Sequence, residues 1–145
     1  MKTKIMKFEN ITVNAPCQKF TEFKYVSQFV SDVSDYLCLF DFQGAVDIQF
    51  MRDLEGDGGW SSGDNQTVDI SIALNDSQGP IPIEEMLRNV AHELVHAQQF
   101  LSGRLDNFEW EGTNYAGTSY ENRPWEIEAY GMEEELCSLQ NRFLD

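Results

Sequence analysis

The sequence predicts an α+β fold in a single domain, and three observations carry that expectation. Three segments place apolar residues at helical spacing. Two others alternate apolar and polar residues as half-buried strands do. No Pro/Gly/Ser-rich linker, internal repeat or low-complexity tract divides the 145 residues. A chain of that length buries about two thirds of its unfolded surface in one core, so residues 1–145 read as one domain.

In chain order, a short strand is expected at Ile5–Val13. Lys19 to Phe40 reads as a helix, because Phe23, Val26, Phe29, Val30, Val33 and Leu37 fall on one face. Val46 to Phe50 alternates as a strand, and Val68, Ile70, Ile72 and Leu74 alternate with Asp69, Ser71 and Ala73 in a second. The Gly-, Asp- and Ser-rich stretch between them, Glu55 to Asn65, reads as a loop. Its start, Asp53-Leu54-Glu55-Gly56-Asp57-Gly58 with Asp64 at the twelfth place, has the spacing of a calcium loop. Strands rather than helices flank it and Glu and Asp stand where Asp/Asn and Glu are needed, so it reads as a solvated acidic loop.

Asn75 to Pro82 is expected to turn. A helix from Ile83 to Ser102 follows, with Pro82 near its start, Glu84 and Glu85 in its first turn and Gly103 closing it. Leu87, Val90, Leu94, Ala97 and Leu101 form its core stripe, and Arg88, His92, His96 and Gln99 lie on the face towards a cleft. Arg104 to Arg123 reads as loop. Pro124 suits the first turn of a last helix reaching about Asn141, with Ala129, Met132, Leu136, Leu139 and Phe143 inward.

Ten basic residues against 25 acidic ones give a net charge of −15. That field repels phosphate backbones and anionic membranes, and no Lys/Arg cluster offsets it, so neither nucleic acid nor membrane is expected as a partner. Cys17, Cys38 and Cys137 are odd in number and far apart, without C-x-x-C spacing, and read as reduced thiols. With no apolar run that suits a signal peptide or a bilayer span, the expected location is the cytoplasm.

The chemistry lies in His92-Glu93-Leu94-Val95-His96, an H-E-x-x-H stretch inside the second expected helix; these are the only two histidines of the chain. Residues four apart on a helix stand one above the other, so both imidazoles can grip one metal ion. Glu93 lies one step round the turn, where its carboxylate reaches a metal-bound water without being a ligand. A catalytic zinc ion takes three protein ligands and leaves a fourth position open. The metzincin pattern asks for glycine at position 99 and histidine at 102, where this chain has Gln99 and Ser102. The aspzincin pattern asks for aspartate five residues after Gly-Thr, where it has Gly117 or Asn122. A glutamate from a later helix remains, and Glu126 and Glu128 flank the apolar stripe of that helix at similar angles.

The combination resembles the glutamate-ligand zincins (gluzincins), whose second helix carries Glu-x-x-Ala/Ser-Asp with the first glutamate on zinc. Glu126, with Ala129 three places on, matches the pattern and Glu128 does not. The pattern's aspartate, which orients a ligating histidine, is Tyr130 here, so another acceptor has to hold that imidazole. The chain is also similar, through His-Glu-Leu-Val-His with Arg-Pro-Trp-Glu-Ile-Glu-Ala-Tyr, to small uncharacterised zincin-like proteins of bacteria and their phages.

The resemblance implies a zincin-like domain with a small mixed or antiparallel sheet, an edge strand beside the H-E-x-x-H helix, and a C-terminal ligand helix. It implies a Zn2+-dependent metallopeptidase acting on a peptide or protein substrate, with His92, His96 and Glu126 on the metal and Glu93 as general base. Thr67–Asn75 takes the place of the edge strand that pairs with an extended peptide, and Tyr115, Tyr120, Tyr130, Arg104 and Arg123 are candidates for the donor to the oxyanion. The competing reading is a zincin fold that binds zinc or a partner without turnover. A likeness to SprT-like proteases of DNA-crosslinked proteins is opposed by the acid surface and the lack of a four-cysteine zinc ribbon.

Overall fold

The computed structural model describes residues 4–16 and 22–140. It is α+β: a mixed five-stranded sheet carries helices on one face, and no helix among the described residues covers its other face. The first two strands, β1 (Lys4–Phe8) and β2 (Ile11–Ala15), form an antiparallel hairpin where one strand was expected. The reversal needs only Glu9 and Asn10, with Glu9 at φ 54°. Asn10 fastens it, since its Nδ2 donates to the carbonyls of Leu39, Phe42 and Gly44 at 3.0, 3.2 and 2.6 Å.

Helix α1 (Phe23–Tyr36) buries Phe23, Val26, Phe29, Val30 and Val33, the expected stripe. It ends before Phe40, because Cys38 adopts a left-handed φ of 61° and a short 3-10 turn, Leu39–Asp41, follows. The expected start at Lys19 and the thiol of Cys17 lie outside the described residues. Strand β3 (Ala45–Met51) then pairs in parallel with β2 and with β5 (Thr67–Ala73). Val46, Ile48 and Phe50 of β3 point inward with Val68, Ile70 and Ile72 of β5. Their neighbours Asp47, Gln49, Asp69 and Ser71 face the open side, so the period-two reading holds for both.

The stretch expected to be a loop contains β4 (Gly59–Gly63), antiparallel to β5 and the outermost strand on that side, in the order β1-β2-β3-β5-β4. The edge strand is therefore β4 and not Thr67–Asn75, which is covered on both sides. Gly-Trp-Ser-Ser-Gly has no apolar alternation to betray a strand. It pairs because Asp64 caps the turn back into β5, its Oδ1 accepting from the N–H groups of Gln66 and Thr67 at 2.8 and 2.9 Å. The remainder of the acidic loop gathers no metal-binding group among the described residues.

After a small ribbon of β6 (Asn75–Asp76) and β7 (Gly79–Pro80), helix α2 runs over Ile83–Leu101. Leu87, Val90, Leu94, Ala97 and Leu101 join one core with the inward residues of the sheet and α1. Each fully buried Leu or Val on that face stabilises the fold by about 1.5–3 kcal/mol. Gly103, at φ 81°, turns the chain out of α2. A three-stranded ribbon of β8 (Leu105–Asp106), β9 (Glu109–Trp110) and β10 (Thr113–Asn114) then occupies part of what was expected to be loop. Helix α3 (Pro124–Cys137) begins on Pro124 as expected and packs along α2, burying Ala129 and Leu136. Phe143, expected to extend its stripe, lies outside the described residues. No helix among the described residues is long and apolar enough to cross a membrane.

Candidate metal centre

Where α2 and α3 cross, both histidines of α2 meet the first turn of α3. Ala129, fully buried, adds only a methyl group between the helices, and Glu126 lies one turn before it on the same face. The Glu126 Oε1 lies 2.9 Å from His92 Nε2 and 3.1 Å from His96 Nε2, and the two Nε2 atoms are 3.2 Å apart. His92, His96 and Glu126 are all buried, and together they can hold a metal ion. They are the only such group among the described residues.

The far side of each imidazole decides what the near side offers. Nδ1 of His92 lies 2.7 Å from Oε2 of Glu133, a carboxylate two helical turns after Glu126. A carboxylate only accepts, so Nδ1 carries the proton and Nε2 turns a lone pair inward. Nδ1 of His96 lies 2.7 Å from Oε1 of Gln99. The Gln99 Nε2 donates to the carbonyl of Trp125 and to Oε1 of Glu128, each at 3.0 Å, so its oxygen has to face His96. His96 is thereby held in the same tautomer.

In these neutral tautomers, two nitrogen lone pairs and a carboxylate oxygen converge on one point. Buried acceptors that face one another are unfavourable unless a cation joins them. Ligand atoms about 2.0–2.1 Å from one ion, at angles between the right angle and the tetrahedral one, lie about 2.9–3.4 Å apart. The observed triangle has that size. Without an ion, protons take its place. Burial lowers the pKa of both imidazoles, but the hydrogen bonds to Glu126 and the charges of Glu93 and Glu126 outweigh it and hold both above their ordinary value. Burial likewise raises Glu126, yet the two histidines prevail and hold it at about 2.

Glu93 stands outside this triangle, between α2 and β4. It is buried, which raises its pKa more than the nearby His96 and His92 and the Ser61 hydroxyl of β4 lower it. Gly59 faces it as well: a Cβ there would lie 3.3 Å from Glu93 Cγ, so the strand approaches the carboxylate closely. The edge strand beside the H-E-x-x-H helix is present, one strand further out than expected.

Glu128 points elsewhere. Its carboxylate receives Nη1 and Nη2 of Arg104 at 2.9 and 2.7 Å, and this pairing, more than any other contact, lowers its pKa. Of the residues that could donate to an oxyanion, Arg104 is held by Glu128, Arg123 lies over the rings of Phe108 and Trp125, and Tyr115 packs edge-on against Trp125. Tyr120 and Tyr130 remain at the centre. The Tyr120 hydroxyl donates to Glu126 Oε1 at 3.1 Å and lies 3.3 Å from that of Tyr130. The Tyr130 ring covers that of His92 at 4.5 Å between centroids. Tyr130 stands where the gluzincin pattern has its aspartate, and the acceptor it cannot supply comes from Glu133, one turn further on. Sequence reasoning missed Glu133 and the role of Gln99, although each sits at helical spacing from a predicted site residue.

Comparison with protein family models, with curated proteins and with solved structures gave no match to this chain.

Proposed function

We propose that the chain is a zinc-dependent metallopeptidase, with His92, His96 and Glu126 as ligands and Glu93 as general base. The observation that carries the reading is the convergence of two imidazole Nε2 atoms and a carboxylate oxygen, each imidazole directed inward by an acceptor at its Nδ1, with a further buried carboxylate beside them and outside the set. A site built only to hold a metal has no use for that last carboxylate. Two imidazoles and a carboxylate are a donor set that suits zinc. Zinc, when bound there, supplies a Lewis acid that lowers the pKa of water and polarises a carbonyl.

The residues of the chain do the rest. The outer edge of β4 pairs with no other strand among the described residues and offers backbone N–H and C=O groups to an extended peptide. Glu93 takes the proton of the attacking water at its carboxylate and passes it to the leaving amine. Tyr120 turns its hydroxyl from Glu126 to the oxygen of the scissile carbonyl as negative charge grows there.

The test is a peptide-library digest by the zinc-loaded protein beside Glu93→Gln and Tyr120→Phe. Glu93→Gln is expected to keep its zinc and lose about 10²–10⁴-fold in kcat. Tyr120→Phe is expected to lose about 10²-fold in kcat with little change in KM. Full activity in Glu93→Gln contradicts the mechanism. Zinc bound by every form with no peptide cut by any marks a zinc-binding module without turnover.

A further inference from the structure

The two imidazoles of the centre are oriented in different ways. His92 faces a carboxylate directly, whereas His96 faces the neutral amide of Gln99, which an imidazole could meet with either end. What decides the end lies outside the centre. The Gln99 Nε2 carries two protons; one goes to the carbonyl of Trp125 and the other to Oε1 of Glu128, each at 3.0 Å. Glu128 is in turn fixed by the two-pronged grip of Arg104 at 2.9 and 2.7 Å. The guanidinium of Arg104 lies over the ring of Trp110 at 4.8 Å and also donates to Gln98 Oε1 at 3.3 Å, so it has one place to be. If the amide turned over, its oxygen would face a carbonyl and a full negative charge, and an N–H would face Nδ1 of His96. The other tautomer would then point a proton at the centre.

We propose that Arg104 and Glu128 are positioning residues for His96: their ion pair fixes the amide of Gln99 so that Nε2 of His96 keeps its lone pair at the centre. The inference rests on the reading of His92, His96 and Glu126 as metal ligands. It gives a use to Glu128, the glutamate that the sequence offered as a rival ligand. It also ties the ribbon of β8–β10, through Trp110 and Arg104, to the occupancy of a site in which the ribbon supplies no ligand.

The experiment is competition for zinc against a chromophoric chelator, with wild type, Glu128→Ala, Arg104→Gln, Gln99→Met and the double variant Gln99→Met/Glu128→Ala. Glu128→Ala is expected to keep one zinc per chain and bind it about 10-fold more weakly, the size of loss that partners of ligating histidines produce. Arg104→Gln, at a half-exposed surface position, loses severalfold. In the Gln99→Met background the further loss from Glu128→Ala falls below about twofold, because the route to His96 is already cut. A loss of equal size in both backgrounds overturns the relay. So does unchanged affinity in Glu128→Ala, or in Arg104→Gln should the core variant not fold. A wild type that takes up no zinc overturns the metal reading instead, so the two failures are told apart.

Discussion

One face of α2 carries Leu87, Val90, Leu94, Ala97 and Leu101 into the core shared by the sheet and α1, and the opposite face carries His92, His96 and Gln99 against α3. Both faces are buried. The apolar face gains stability from each side chain it removes from water. The polar face places two imidazoles among Glu126, Glu133 and Glu93, groups that are costly to bury unless every one is paired. A chain selected for stability alone would fill that space with leucine. The contrast teaches where each face gets its worth: the first holds α2 on the sheet, and the second spends part of that stability on donors aimed at one point.

The largest expected effect that separates the faces is on the apolar side. Leu94→Ala, at a fully buried position, should cost about 2–5 kcal/mol of stability by denaturant unfolding. Metal bound per folded chain should be unchanged, although Leu94 lies between the histidines in sequence. Loss of metal in a variant that is still folded would break the division between the faces.

Glu133→Leu is expected to do the reverse. It removes the acceptor at 2.7 Å from His92 Nδ1, and zinc affinity should fall about 10–100-fold while the fold persists. Unchanged affinity would mean that the tautomer of His92 is set by something other than Glu133.

The smallest effect is a pH dependence on the polar face. In the metal-free protein a raised imidazole pKa contributes stability that is complete below pH 6.5 and is lost as pH rises through the folded value. Glu126, lowered from 4.5 to about 2, contributes stability that is present above pH 4.5 and is lost as pH falls towards 2. In the metal-free protein the two imidazoles and Glu126 are therefore together most stabilising between pH 4.5 and 6.5. Metal needs the imidazoles without their protons, so its stabilisation grows above that window. The gap in Tm between metal-loaded and chelator-treated protein should widen as pH rises above 6.5, and a constant gap would contradict the convergence of lone pairs.

How much of this was legible in the chain differs between the two faces as well. The apolar face of α2, the stripe of α1 and the strands β3 and β5 follow from periodicity, because burial of one face leaves a period in the sequence. The edge strand β4 left none: Gly59, Ser61 and Gly63 face the side where bulk has no room, and Trp60 and Ser62 face outward. The hairpin of β1 and β2 was hidden because its turn, Glu9-Asn10, is held by a side-chain clamp on distant carbonyls rather than by Gly or Pro. In the site, His92 and His96 were readable from motif spacing, whereas only the resemblance to the gluzincin pattern favoured Glu126 over Glu128; the structure brings His92, His96 and Glu126 together and turns Glu128 aside. Glu133 was missed because the expected acceptor stood one turn earlier, where Tyr130 covers the ring of His92.

Whether His92, His96 and Glu126 share one ion is decided by elemental analysis of metal per chain. The protein would be made without a histidine tag and measured beside Glu126→Ala and Glu128→Ala at concentrations far above any dissociation constant. About one zinc per chain in wild type and in Glu128→Ala, with loss in Glu126→Ala, is the predicted result. No metal in wild type even after reconstitution, or full zinc in Glu126→Ala, would contradict it.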